Sequence, residues 1–193
     1  PNAYVSRVKP STHVAGRAYV SRSGYKFDDF TPYLYVTEDF GATWKSLVSN
    51  LPKQPINVIT EDPKNPNLLF VGNDDGVYVS IDRGVHWVRM NNGIPNIPMR
   101  DILIHPRQKD LILGSYGRGI FVTNIAPLEE MSDEMLSEDA HLFATLPTVQ
   151  RVVWSYGAND YLFGQHQLQT PNETAGMVTV SYTHLTLPAR PHC

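Results

Sequence analysis

The sequence SIDRGVHW, from Ser80 to Trp87, places an aspartate, a glycine and a tryptophan at fixed spacing directly after a strand-like run. The same plan occurs 43 residues earlier in TEDFGATW, from Thr37 to Trp44. In such a turn the aspartate carboxylate can accept backbone N–H bonds, the glycine supplies a positive φ, and the tryptophan covers the turn. Both stretches are therefore predicted to be structural hairpin turns, and both tryptophans are expected in the core. The residues assigned to the turns are Thr37, Asp39, Gly41, Thr43, Trp44, Ser80, Asp82, Gly84 and Trp87.

The second turn departs from the first at one position, because His86 stands where the first turn has Thr43. Replacing the hydroxyl by an imidazole is expected to cost the second turn one hydrogen bond. The other positions match, so the second turn is predicted to have the same conformation as the first.

A wider repeat surrounds the two turns. Sliding the chain by 43 residues aligns positions 61–80 with 104–123 and places Leu68 on Leu111 and Gly76 on Gly119. An earlier copy contains RAYVS (17–21), followed by an insert of about eight extra residues within RSGYKFDDFTP (22–32). Three copies are therefore visible, the first with a long loop and the third without its Asp–Gly–Trp turn.

Each copy is short and rich in strand-forming residues. Four runs of β-branched and aromatic residues alternate with Pro, Asn, Asp and Gly turns, which is typical of an antiparallel meander. A four-strand unit that repeats at about 40–50 residues is typical of a β-propeller blade. The 15 prolines argue against a helical solenoid, and an immunoglobulin-like sandwich would not repeat at a fixed period. The predicted fold is all-β, a partial propeller of three blades at about 1–50, 55–91 and 98–125.

The composition excludes several classes of function. The chain has 193 residues, of which 41% are hydrophobic, and a formal charge of −3. It therefore lacks the basic surface typical of nucleic-acid binding, and its apolar runs are too short to span a membrane. Cys193 is the only cysteine, which excludes a disulfide within the chain. No histidine spacing suits a metal and no glycine pattern suits a phosphate, so no metal and no cofactor are predicted.

The turn sequences TEDFGATW and SIDRGVHW resemble the Asp-box, or bacterial neuraminidase repeat. With GSYGRGIFV (114–122) and PLEEM (127–131), they are similar in order to the C-terminal blades of sortilin-related, glycosyl-hydrolase-like bacterial proteins. The resemblance covers about residues 1–130 and implies a secreted, periplasmic or cell-surface protein. It also implies a helical linker at 126–140 and the start of a β-sandwich-like module at 141–179.

The two ends of the chain are expected to be arbitrary. The sequence begins with Pro1 and opens at once into strand-like residues, which is expected of a piece of a longer protein. The last stretch, VSYTHLTLPARPHC (180–193), resembles translated sequencing-adapter read-through. We expect this tail to be non-native.

A ligand-binding rim is predicted at the end of the blades opposite the Asp–Gly–Trp turns. The long insert and the turns between second and third strands meet there, as do the links between blades, and long loops often carry function. Structural readings compete, since Asp74 and Asp75 suit a tight turn before Gly76, and Arg118 could bond loop carbonyls. The candidates are Tyr25, Lys26, Asp28, Asp29, Asn73, Asp74, Asp75, Arg100, Tyr116 and Arg118, with Asn91 and Asn92 of the second link.

Two functions fit this map. The favoured one is a scaffold that binds a glycan or a protein on its propeller face, completed by the remaining blades of a longer chain. The alternative is a sialidase- or xyloglucanase-like glycoside hydrolase, in which Asp29 and Asp75 would act as acid and base about 5–10 Å apart. A sialidase-type site would also need three arginines, which cannot be assembled around Arg118 and Tyr116.

Overall fold

The computed structural model describes residues 3–91, 93–145 and 179–183. The chain divides into two compact units, Pro1–Leu136 and Ser137–Cys193. The first unit carries both Asp–Gly–Trp turns and every predicted rim residue.

Three antiparallel sheets follow one another in the first unit, and each is a simple up-and-down meander. The long loop expected in the first sheet is wrong, because most of the insert at 22–32 extends the second and third strands of that sheet, and a 3-10 turn, Tyr25–Phe27, joins them. The first sheet contains β1 (Tyr4–Pro10), β2 (Ala18–Gly24), β3 (Asp29–Thr37) and β4 (Lys45–Ser46). The second contains β5 (Ile56–Glu61), β6 (Leu69–Asn73), β7 (Val77–Ser80) and β8 (Val88–Met90). The third contains β9 (Met99–His105), β10 (Asp110–Ser115) and β11 (Ile120–Asn124).

The core lies between the sheets in two layers. One layer joins Leu34 and Val36 of the first sheet to Val71 and Tyr78 of the second. The other layer joins the opposite face of the second sheet to the third. Because side chains alternate along a strand, a strand covered on both faces is buried throughout, and β6 and β7 are. The predicted all-β class of successive meanders is confirmed, with the second sheet held between its neighbours.

The alignment of Leu68 with Leu111 in the sequence repeat is wrong by one residue. Leu69 pairs with Ser80, whereas Leu111 pairs with Thr123, so Leu111 is the counterpart of Leu69. The reason is a hairpin between β10 and β11 that is one residue longer than the hairpin between β6 and β7. Since a one-residue slip exchanges the two faces of a strand, this correction decides which side chains of β10 face the second sheet.

Short helices and a small sheet follow the third sheet. The helices are α1 (Ala126–Glu130) and α2 (Asp133–Leu136), within the range predicted for a helical linker. In the second unit, β12 (Ala140–Leu142) pairs with β13 (Ser181–Thr183). Most of the predicted module at 141–179 and of the predicted tail at 180–193 lies outside the described residues. Within the described ranges, no helix has the length and apolar character needed to cross a membrane.

Candidate ligand-binding rim

The loops of the first unit gather at two opposite ends of its sheets. The Asp–Gly–Trp turns lie beside the loops that join the first and second strands of each sheet, as Phe40 N–H donating to Gly16 O at 2.9 Å shows. At the other end, Tyr116 N–H donates to Pro98 O, at 2.9 Å, and joins the β10–β11 hairpin to the preceding link. We call the first end the turn rim and the second the loop rim.

The first turn is held by a closed set of hydrogen bonds. Asp39 accepts bonds from the Thr43 N–H at 2.8 Å and the Thr43 hydroxyl at 2.6 Å, and the Thr37 hydroxyl donates to it at 2.8 Å. The Thr37 oxygen in turn accepts the N–H of Gly41 at 2.8 Å. The bonds from Thr43 lower the pKa of Asp39 to about 2, so the carboxylate is charged in its structural role.

The second turn has the same bonds, and the expected loss at His86 is wrong. The His86 N–H donates to Asp82 at 2.9 Å, and its Nδ1 lies 2.7 Å from the second carboxylate oxygen. The imidazole therefore reaches the atom that the Thr43 hydroxyl reaches in the first turn. Burial acts to raise the pKa of Asp82, but the bonds from His86 and Ser80 outweigh it and the pKa is lowered.

The glycine of the second turn has the positive φ that the sequence predicted. Gly84 has φ of 86°, and a Cβ there would lie 3.2 Å from the Trp87 ring.

The two tryptophans differ in their surroundings. Trp87 is 4% exposed, and its Nε1 donates to Leu47 O of the first sheet at 2.9 Å. The Asn50 side chain bonds both the N–H and the C=O of Trp87, at 2.8 Å each. Trp44 is 47% exposed, and its Nε1 donates only within its own turn, to Gly41 O. The prediction that Trp44 lies in the core is wrong, because no described residue takes the place over it that Leu47 takes over Trp87.

At the loop rim, the insert carries an exposed cluster of aromatic side chains. Tyr25 and Phe27 belong to the 3-10 turn, and Phe30 follows it with its ring 6.3 Å from that of Tyr25. Lys26 lies over the Tyr4 ring, with its Nζ 5.3 Å from the ring centre. We call Tyr4, Tyr25, Phe27 and Phe30 the aromatic patch; all four are exposed. The sequence prediction named Tyr25 and missed the others, although the density of rings in YKFDDF (25–30) was a usable signal.

The two acidic residues of the insert have separate roles. Asp28 is exposed and ends the 3-10 turn in the left-handed region, with φ of 56°. Asp29 is held in its own strand, where it accepts the Tyr33 hydroxyl at 2.7 Å and the Thr31 N–H at 3.0 Å. These bonds, led by that from Tyr33, lower the pKa of Asp29 to about 2. A carboxyl group with so low a pKa is ionised near neutral pH and cannot serve there as a general acid.

Titration of Asp29 tests this assignment. Replacing Tyr33 by phenylalanine removes the largest contribution, so the Asp29 pKa should rise from about 2 towards the ordinary aspartate value. Carboxyl-detected NMR of the wild type and the Y33F variant measures the shift. Tyr25→Phe, in the same loop, is the control and should leave the Asp29 pKa unchanged. An Asp29 pKa near 6 in the wild type would contradict the structural role.

In the second sheet, Asn73 shapes the turn that follows β6. Its Oδ1 accepts the N–H groups of Asp75 and Gly76 at 2.9 Å each. Asp75 pairs with Arg89 at 3.1 Å and accepts the Tyr78 hydroxyl at 3.2 Å. Asn73 and Asp75 therefore connect this turn to the strands β7 and β8.

Asp74 belongs to a different network that reaches the third sheet. It accepts the Asn57 amide at 2.8 Å and lies 3.6 Å from Arg100. Arg100 also donates to the Asn57 oxygen at 2.7 Å, and its guanidinium stands 5.5 Å from the centre of the Tyr116 ring. Asp74, Arg100 and Tyr116 thus meet at the loop rim, as the sequence predicted for residues from neighbouring copies.

The remaining candidates give no such assembly. Arg118 is exposed between Gly117 and Gly119, both at positive φ, and Asn91 is exposed in the second link. Asn92 lies outside the described residues. In the described ranges, no group of three or more His, Cys, Asp and Glu side chains is placed to hold a metal ion. A depression of about 390 Å³ lies against α1 and α2, away from the loop rim.

Comparisons with known proteins bear on the fold. No protein-family model matches the chain, and no curated protein matches it. Among solved structures, the chain is similar to a GH74 enzyme from Niastella koreensis, with a TM-score of 0.52 and 16% identity over 62% of this chain and 21% of that one. It is also similar to the GH74 xyloglucanase from Xanthomonas campestris, with a TM-score of 0.51 and 15% identity over 63% of this chain and 21% of that one. The chain thus spans about a fifth of the length of each. At this identity the likeness concerns the fold, which is a partial β-propeller.

Proposed function

We propose that this chain is part of a propeller that binds a glycan at its loop rim. The observation that carries the proposal is the aromatic patch, four exposed rings on and beside the loop between β2 and β3. Exposed apolar surface concentrated at one site is typical of a binding surface, whereas scattered apolar side chains are not.

The chemistry of the patch suits a sugar. An aromatic face carries negative charge density and attracts the weakly positive C–H groups on the apolar side of a pyranose ring. Lys26 and Asp28 are exposed in the same loop and can bond hydroxyl groups as donor and acceptor. This combination of flat apolar surface with polar groups at its edge favours a glycan over a peptide.

We also propose that the two turns are Asp-box repeats. The matching bond sets of Asp39 and Asp82 support this assignment, and so does the threonine or serine at the start of each turn. The resemblance to sortilin-related proteins then suggests a location outside the cytoplasm. Three blades are only part of a ring, so further blades are needed to complete it.

We propose no catalytic role for Asp29 and Asp75. Asp29 is ionised within its own strand, and Asp75 is paired with Arg89 and Tyr78. Each carboxylate is therefore held by its own neighbours. The glycoside hydrolase remains the alternative that the binding experiment must also address.

Binding of soluble polysaccharides tests the proposal. Affinity electrophoresis and calorimetry with xyloglucan and with a charged polysaccharide should show binding to at least one of them. Tyr25→Ala and Phe27→Ala should each weaken it roughly fivefold, since one ring stacked on its ligand contributes about 1 kcal/mol. Phe40→Ala is the matched control, because Phe40 is 84% exposed but lies on the turn rim.

Two results would contradict the proposal. Absence of binding to the whole panel, or equal loss in the Phe40→Ala variant, would remove the role of the aromatic patch. Release of reducing sugar that Asp75→Asn abolishes would replace the binding scaffold by a hydrolase.

A further inference from the structure

One guanidinium group at the loop rim is held in place while the edge that binds anions stays open. Arg100 is the second residue of β9, and its Nη1 donates to Asn57 Oδ1 at 2.7 Å and lies 3.6 Å from Asp74. The centre of the Tyr116 ring lies 5.5 Å from the guanidinium carbon. Within the described residues, Nε and Nη2 of Arg100 make no hydrogen bond, and the side chain is 45% exposed.

The open edge of Arg100 has the geometry of an anion receptor. Nε and Nη2 point the same way from the planar group, so that two parallel N–H bonds can reach the two oxygens of a carboxylate. Asn57 is buried and also donates to Asp74 at 2.8 Å, so the partners of Nη1 hold each other. A group that is fixed before its ligand arrives loses little freedom on binding. Arg100 is therefore preorganised for a carboxylate.

Arg89 shows how an arginine at the same rim is used when its role is structural. Its Nη2 donates to Asp75 O at 2.7 Å and also to Asn96, and its Nη1 lies 3.1 Å from the Asp75 carboxylate. Both ends of this guanidinium are therefore occupied by a turn and a link of the chain itself. Arg100 differs because its contacts within the described chain use only one nitrogen.

The hairpin between β10 and β11 supplies the surroundings of this edge. Tyr116 is 70% exposed, so most of its ring is available beside the guanidinium. Arg118 is exposed and has no partner among the described residues, and a Cβ at Gly117 or Gly119 would meet nothing within 4 Å. The base of the hairpin is fixed, since the Ser115 hydroxyl donates to Gly119 O at 2.6 Å. An anchored hairpin thus presents a ring and a second cation in open space.

We propose that Arg100, Tyr116 and Arg118 form a subsite for the carboxylate of an acidic sugar, so that the glycan bound at the loop rim is a polysaccharide of uronic acids. A uronic acid carries its carboxylate on the pyranose ring, and that ring can lie against Tyr116 while the carboxylate meets the open edge of Arg100. Arg118 then faces the charge of a neighbouring sugar. The inference rests on the proposed glycan binding and adds the chemical class of the sugar.

One polymer in two charge states tests the inference. Polygalacturonate and its methyl ester share a backbone and differ in whether the carboxyl group is charged. Calorimetry of the full chain should show that it binds polygalacturonate about tenfold or more tightly than the ester, the effect of a hydrogen-bonded charge pair. The preference should shrink as salt is added, because the site is exposed. Dextran sulfate is the third ligand, and it reports binding that any polyanion would give.

Three variants and one control locate the subsite. Arg100→Gln should weaken binding of polygalacturonate about tenfold or more and leave binding of the ester unchanged. Arg100→Lys keeps the charge but not the two parallel donors, so its affinity should fall between those of the wild type and Arg100→Gln. Arg118→Gln, at an exposed position without a described partner, should cost about threefold. Arg83→Gln is the control, since it removes the same charge from an exposed side chain on the turn rim and should change nothing.

Urea denaturation of each variant shows whether it is folded, and Arg118→Gln keeps the test decisive if Arg100→Gln is not. Equal affinity for polygalacturonate and its ester, an equal loss in Arg83→Gln, or tighter binding of dextran sulfate than of polygalacturonate would each overturn the inference. Binding of the ester that Tyr25→Ala weakens, without preference for the acid, would overturn it and leave the proposed function standing. Binding of polygalacturonate that depends on Arg100 but not on Tyr25 would support this subsite and count against the aromatic patch.

Discussion

Replacing Trp87 by alanine is expected to lower the free energy of unfolding by about 3–5 kcal/mol, the range for removal of a buried tryptophan. The indole fills the layer between the first and second sheets, and its Nε1 bonds to Leu47 O across them. The substitution leaves a cavity and leaves the Leu47 carbonyl without that donor. Urea denaturation followed by far-UV circular dichroism, at one fixed protein concentration, measures the change.

Trp44→Ala is the matched control for this prediction. The residue occupies the same position in the sibling turn but is half exposed and bonds only within that turn. Its removal should cost less than half as much as removal of Trp87. Equal losses in the two variants would mean that the turns stabilise the chain locally and that the contact between sheets contributes little.

Replacing Glu61 by alanine is expected to cost about 3–5 kcal/mol, because it breaks a buried ionic network, removes the acceptor of the buried Tyr19 hydroxyl and takes one of two carboxylates away from Arg17. Glu61 accepts the Tyr19 hydroxyl at 2.8 Å and the Thr12 N–H at 3.1 Å, and Arg17 lies 3.6 Å from it. Arg17 is itself buried and keeps only Glu38 as an ionic partner in the variant. The network joins the first and second sheets at the turn rim, so its loss should weaken their contact.

Two further variants separate charge from hydrogen bonding in this network. Glu61→Gln keeps the shape and an acceptor oxygen, so its cost should fall between those of wild type and Glu61→Ala. Asp101→Asn removes the charge of the exposed Arg7–Asp101 pair at 2.7 Å and should cost no more than about 1 kcal/mol. Denaturation midpoints for the three variants test the ranking. A larger loss for Asp101→Asn than for Glu61→Ala would show that burial does not govern these ion pairs.

The local chemistry of the chain was readable from its sequence. The Asp–Gly spacing predicted both turns, because their bonds run between residues at most four positions apart. The strand pattern predicted the meanders for the same reason, since each strand pairs with the next one along the chain. The assembly of Asp74, Arg100 and Tyr116 at one rim followed from counting strands.

The sequence predictions that were wrong depended on the length of a side chain or on the pairing of strands across the repeat. His86 was expected to lose the hydrogen bond that the Thr43 hydroxyl makes to Asp39, but its imidazole is long enough to reach the corresponding oxygen of Asp82. The shift of one residue at Leu111 was hidden in the sequence. The turn between β9 and β10 is one residue shorter than its counterpart in the second sheet, and the hairpin between β10 and β11 is one residue longer, so the repeat keeps its total length.

By itself, therefore, the sequence determined the strands, the turns and their repetition, all of which arise from interactions between near neighbours in the chain. The tertiary structure alone decided which face of each strand is covered, how Glu61 and Arg17 meet, and why Trp87 is buried while Trp44 is not. The physical reason is that a side chain on one sheet becomes buried only when a second sheet packs against it. Two turns with the same hydrogen-bond plan differ in the exposure of their tryptophans because, among the described residues, only the second turn has a preceding sheet packed against it.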